Sequence, residues 1–196
     1  ENKVMVLNNF IDTKDIIEKS KEKIKEHKPR GKKLFVFVGR LDDEAKKVGR
    51  AIVLTKEIND MMLWIVGDGP DRKMYEDLVK KNKLENKVTF LGKKKNPYPY
   101  MKKADYILMT SDYEGFPVIY LETITLQTPL ITTIDVSDDK IKIGKDYAKI
   151  ISKNQKKMLK QVKEILSSPK QVKKIDIENI QKERMKTFEK LFDGVI

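Results

Sequence analysis

At 196 residues the chain is long enough for one domain with a full hydrophobic core and short for two. Its 42 Lys and Arg outnumber 30 Asp and Glu, giving +12, yet the cations are mostly lysines scattered among acids, with no basic run interleaved with stacking aromatics, so a nucleic-acid module is not expected. The absence of cysteine excludes a disulfide framework or a thiolate metal site and permits a cytoplasmic home, and no apolar run nears the roughly 20 residues of a membrane-spanning helix.

In chain order, "VMVL" (4–7) is a short strand candidate, and a lysine-rich helix is expected from Thr13 to His27. Then apolar runs alternate with amphipathic stretches. Strands are predicted at 34–38, 62–66, 88–91, 106–109, 130–133 and 148–151, and helices near 48–60, 71–83, 97–103, 117–127 and 137–143. Strand runs that are apolar throughout and separated by helices indicate a parallel sheet covered on both faces. The expected fold class is α/β, doubly wound, with about six strands. Residues 155–166 and 170–190 read as two charged amphipathic helices, the second starting at Pro169. One domain over 1–196 is expected: an entering segment (1–30), an α/β core (31–151) and C-terminal helices (152–196). Opening on Glu1 rather than Met, the chain is expected to be part of a longer one.

In such sheets ligands bind beyond the carboxyl ends of the strands, so the loops there carry the chemistry. Gly39 and Arg40 directly follow the first of these runs, with Lys46 and Lys47 in the next loop or helical turn. Two cations converging there suit a diphosphate, Arg as a fork and Lys as a point charge. "GDGP" (67–70) is no dinucleotide fingerprint, since the third glycine would fall at Arg72; Gly67 stands as either a turn residue or part of a ligand-facing loop. Glu114, Gly115, Phe116 and Pro117 lead into a helix whose first amides attract phosphate. Val118, Ile119 and Leu121 are expected to form the helix's buried stripe, and Glu122 shares that face, which requires a polar partner for its carboxylate. His27, the single histidine, falls in a lysine-rich surface stretch and is not expected to act as a base, while the "NPYPY" aromatics (96–100) are expected to pack at a helix start rather than stack on a ligand.

"FVGRLDDEAKKV", "LWIVGDGPDRKMYEDLV", "KVTFLG", "NPYPYMKKADYILMTSDYEGFPVIYLET" and "TPLITTID", in that order over about residues 34–135, make the chain resemble the C-terminal, nucleotide-sugar-binding domain of a GT-B glycosyltransferase of family 4 (glycosyl transferases group 1). "NKVMVLNNFID" is similar to the segment by which that family's chain enters this domain. The resemblance implies a retaining, hexosyltransferase-type enzyme. Glu114 and Glu122 would be its E-x7-E motif, the first facing the donor sugar and the second accepting hydrogen bonds from ribose hydroxyls. Arg40 and Lys46, with Lys47 as the neighbouring alternative, would hold the diphosphate, together with the amides of Phe116, Val118 and Ile119. Leu91 to Lys93 would line the base. Glu114, Arg40 and Lys46 are thus the catalytic candidates.

The implied ligand is a nucleotide-sugar donor, UDP-sugar first among the options, with no other cofactor and no metal. The implied partner is a saccharide or lipid-linked saccharide acceptor, held by an N-terminal domain absent from this chain, in cell-envelope or capsular polysaccharide synthesis. A monomer in the cytoplasm is expected, the lysines admitting peripheral association with anionic lipid on the inner face of the plasma membrane. Alternative readings are a non-catalytic nucleotide-sugar-binding module and a basic membrane-surface or nucleic-acid-binding domain. Two departures from the family pattern stand out: Gln127 replaces a usual glycine two residues before Pro129, and Val136-Ser137 replaces a frequent glycine pair.

Overall fold

The computed structural model describes residues 10–28, 30–115, 118–135, 147–169 and 175–189. The predicted strand at 4–7, the predicted helix at 137–143, Val136-Ser137, and the candidates Phe116 and Pro117 lie outside these residues. Six strands form one sheet: β1 (Lys33–Val38), β2 (Met61–Val66), β3 (Val88–Gly92), β4 (Tyr106–Met109), β5 (Leu130–Thr132) and β6 (Ala148–Ile150). Their order is β3-β2-β1-β4-β5-β6 and every pairing is parallel, as the uniformly apolar runs require. The order reverses between β1 and β4, which opens a crevice at their carboxyl ends.

Side chains alternate across the pleat, so each face of β1 and β2 has its own core. Phe35, Phe37, Leu63 and Ile65 pack on one side with α2 (Val48–Glu57), α3 (Arg72–Lys81) and α6 (Gln155–Ser167), through Ile52, Leu54, Tyr75 and Met158. Leu34, Val36, Trp64 and Val66 face α1 (Thr13–Lys19), α4 (Tyr98–Lys103), α5 (Ile119–Leu126) and α7 (Ile177–Glu189) on the other, through Ile16, Met101, Leu121 and Ile177. Burying a large apolar side chain contributes about 1.5–3 kcal/mol. Both layers therefore hold the sheet.

The structure corrects three helix expectations. The first helix stops at Lys19 rather than His27: beyond Ser20 only Ile24 offers apolar contact, and tertiary bonds fix the chain in a non-helical path, Lys103 Nζ donating to the Glu26 carbonyl at 2.7 Å and Lys28 pairing with Asp105 at 2.7 Å. The last helix starts at Ile177, not at Pro169, because Asp176 supplies the cap, its Oδ1 accepting from Asn179 N at 3.0 Å. In α5 the buried side is Tyr120, Leu121, Thr123 and Ile124, while Val118 and Ile119 are only half-buried. Gln127, at the position where a glycine was expected, ends α5 in the left-handed conformation (φ 56°, ψ 34°), a strain that glycine would avoid.

Candidate functional site

Three loops at the carboxyl ends of β1, β2 and β3 form one backbone-bonded body. Gly39 N donates to Val66 O at 3.1 Å, Leu41 N to Asp68 O at 3.0 Å, Asp71 N to Leu41 O at 3.1 Å, and Gly67 N to Gly92 O at 2.9 Å. Glycine is required at 67 and 69 because a Cβ at either would run into the Gly39–Leu41 backbone. Gly67 thus serves a close backbone approach and holds the turn that carries Arg40. Arg40 is exposed at the end of β1, and among the described residues it makes no ion pair.

The loop that follows is bent by Asp42, whose Oδ1 accepts from Glu44 N at 2.9 Å, and ends on Lys47, left-handed at φ 49°. The end of β4 clamps it: Asp112 N donates to Ala45 O at 2.8 Å, and Thr110 Oγ1 donates to Lys46 O at 3.2 Å and Lys47 O at 3.0 Å. Arg50 completes the clamp, bonding Thr110 O at 3.0 Å and Asp112 Oδ1 at 2.7 Å; this bond holds the Asp112 carboxyl below its ordinary value. No local pattern marks Arg50's role, since its partners lie 60 and 62 residues away.

Inside this frame lies a cleft of about 240 Å³ lined by Phe37, Val38, Met109, Val118, Ile119 and three polar residues, Lys46, Ser111 and Glu114. Lys46 Nζ sits 2.6 and 2.7 Å from the two Glu114 oxygens, and the buried Ser111 Oγ donates to Oε1 at 2.6 Å. The pair is well shielded, with 26% of the Lys46 side chain and 12% of Glu114 exposed. Lys47 turns away to Asp43, 3.4 Å distant, and does not line the cleft. The two lysines, equivalent in sequence, are therefore separated by the fold. Ser111 was not singled out as a ligand of Glu114, although it stands three residues before it.

Glu122 lies one turn on from Val118 and is not part of the cleft wall. Its polar partner is Tyr98 at the start of α4, whose hydroxyl donates to Oε1 at 3.2 Å. Burial raises the Glu122 carboxyl above its ordinary value, and burial beside that carboxylate pushes the Tyr98 phenol up to about 12. Leu91 is half-buried against the second core, whereas Lys93 and Gly115 are exposed. Among the described residues no group of three or more His, Cys, Asp or Glu is placed to hold a metal ion, and no helix is long and apolar enough to cross a membrane.

The family model for glycosyl transferases group 1 matches residues 18–182. Similar curated proteins include an N-acetylgalactosamine-N,N'-diacetylbacillosaminyl-diphospho-undecaprenol 4-alpha-N-acetylgalactosaminyltransferase of Campylobacter jejuni, 29% identical over 98% of this chain and 51% of its own. A lipopolysaccharide 1,6-galactosyltransferase of Escherichia coli is 24% identical over 70% of this chain and 38% of its own. Among solved structures, sucrose-phosphate synthase from Thermosynechococcus elongatus superposes with a TM-score of 0.71 at 18% identity, over 96% of this chain and 49% of that one. Anabaena Alr3699/HepE in complex with UDP gives 0.67 at 14% identity, over 82% and 49%. The chain spans between 38% and 51% of the length of these relatives. With most of its length under the family model, the chain belongs to the glycosyl transferases group 1 family.

Proposed function

We propose that this chain is the donor-binding half of a retaining, hexosyltransferase-type glycosyltransferase, with the acceptor held by an N-terminal domain outside it. The observation that carries the reading is the convergence of Lys46, Ser111 and Glu114 at the strand-order reversal, where an α/β sheet offers its ligand crevice, with Arg40 exposed at the end of β1. A nucleoside diphosphate brings negative charge to Arg40 and Lys46, and the amides of Val118 and Ile119 at the N-terminus of α5 suit the same phosphates. Lys46 then exchanges Glu114 for phosphate, and Glu114 is left to face the donor sugar. Glu122 takes the ribose hydroxyls. Attack and departure occur on the same face of the sugar, the charge growing on the leaving diphosphate being stabilised by Arg40, Lys46 and the amides.

UDP-sugar is the favoured donor, in keeping with the UDP found in the HepE structure. A saccharide or lipid-linked saccharide acceptor and a role in envelope polysaccharide assembly accord with the names of the Campylobacter and Escherichia relatives. A non-catalytic sensing module would not need the Glu114 carboxylate held beside the Lys46 cation. Calorimetric titration of the chain with UDP, GDP and ADP tests the reading: binding in the micromolar to millimolar range is expected for half a cleft, and no heat with any of the three at millimolar concentration would overturn it.

A further inference from the structure

Tyr98 reaches Glu122 from a different helix and a different loop, 24 residues earlier in the chain. Its hydroxyl gives Glu122 the one side-chain hydrogen bond found for it among the described residues, where α1, α4 and α5 pack together. A carboxylate on a largely apolar helix face has competing options: it can extend toward water or fold back onto its own helix. One bond from a fixed donor removes that freedom and leaves the remaining lone pairs, chiefly those of Oε2, with a set direction.

Tyr98 is such a donor. Its ring packs against the second core, and its backbone N–H donates to Asn96 Oδ1 at 3.2 Å. Asn96 is itself tied to the end of α1, its Nδ2 donating to Lys19 O at 2.8 Å and to Glu22 Oε2 at 2.7 Å. A continuous path, Lys19 to Asn96 to Tyr98 to Glu122, thus runs from α1 to the carboxylate. The upward pKa shifts of both groups, caused by burial, fit an enclosed pair whose carboxylate lacks full solvation.

Resting on the donor-site reading above, we propose that Tyr98 is a positioning residue for Glu122, holding the carboxylate in the orientation that grips the ribose hydroxyls of the donor nucleotide. Tyr98→Phe keeps the ring and deletes only the hydroxyl, so the positioning role separates from packing. The test is a set of calorimetric titrations with UDP, 2'-deoxy-UDP and inorganic pyrophosphate on the wild-type chain, Tyr98→Phe, Glu122→Gln and the double variant, with a thermal melt on each.

Tyr98→Phe is expected to weaken UDP by about three- to tenfold, the scale of one net hydrogen bond, and 2'-deoxy-UDP and pyrophosphate by less than about twofold. In the Glu122→Gln background the same change should do almost nothing further, since coupled residues are not additive. Equal losses for UDP and 2'-deoxy-UDP, or full additivity of the two changes, would overturn the positioning role while leaving the donor site standing. Absence of binding by the wild-type chain to any of UDP, GDP and ADP would overturn the donor site, and this role with it.

Discussion

Replacing Gly67 by Ala tests whether the ends of β1, β2 and β3 form one body that carries Arg40. On the observed backbone the added Cβ falls inside the contact distance of the Gly39 carbonyl oxygen and 2.9 Å from its carbon. Nonbonded carbons rest at about 3.5–4.0 Å, so the Gly39 carbon alone requires the two strands to part by roughly 0.6–1.1 Å, and the nearer oxygen requires more. They are joined there by Gly39 N to Val66 O at 3.1 Å, Gly67 N to Gly92 O at 2.9 Å and Leu41 N to Asp68 O at 3.0 Å, and such a parting takes at least two of these out of range. Each is worth about 0.5–1.5 kcal/mol net, and φ of +152° at residue 67 adds strain on the order of 1–3 kcal/mol for an L side chain. The expected loss is about 2–6 kcal/mol in urea unfolding followed by circular dichroism. Affinity for UDP should fall as well, because Arg40 follows Gly39. Gly115→Ala is the control: nothing lies within 4 Å of its added Cβ, so stability should stay within about 0.5 kcal/mol. A Gly67→Ala chain as stable as the wild type, with unchanged UDP binding, would refute the close-approach argument.

Arg40→Ala should weaken UDP by about 1.5–3 kcal/mol and leave uridine nearly unaffected, as a charge-assisted phosphate contact requires; equal losses for both ligands would make Arg40 structural. Lys46→Ala should follow Arg40→Ala in the same titrations and Lys47→Ala should not, since only Lys46 lines the cleft. Glu122→Gln should raise stability at pH 7, because burial raises the folded-state pKa of Glu122 and its ionised form opposes folding there. Wild-type Glu122 takes up its proton as pH falls through that raised value, so the advantage of the variant should shrink on acidification and vanish below about pH 4.5, the ordinary value. A gain of about 1 kcal/mol would read as roughly 2–4 °C in Tm, and a gain that does not change with pH would contradict the assignment.

The six strands were legible because a run buried on both faces cannot hide among polar residues, and "LFVFV" and "YILM" announce themselves. Which loops lie at the carboxyl edge of the sheet was legible for the same reason. Helix ends were harder. Periodicity carried the first helix to His27, but the bonds from Lys103, Lys28 and Asn96 that divert the chain after Ser20 come from partners 74 to 77 residues away. Glu122's need for a partner could be argued from its apolar neighbours; which partner could not, since Tyr98 belongs to another helix. Lys46 and Lys47 could not be separated until the left-handed turn at Lys47 sent one side chain into the cleft and the other to Asp43. The bond from Ser111 to Glu114 was local, yet nothing in a Ser three residues before a Glu distinguishes it from a surface pair.

The clamp of Thr110, Asp112 and Arg50 on the β1–α2 loop has a kinetic consequence. Because the carbonyls of Ala45, Lys46 and Lys47 are all held by the end of β4, the loop bearing the cation and the segment bearing Glu114 cannot open against each other without breaking that clamp. The Lys46 ammonium can leave Glu114 by rotating about its own side-chain bonds, a picosecond-to-nanosecond event, whereas loop displacement takes nanoseconds to microseconds and domain closure longer still. On the proposed donor-site reading, phosphate capture is therefore expected to be limited by encounter rather than by isomerisation. A slow phase in a longer chain would arise outside this pair of loops.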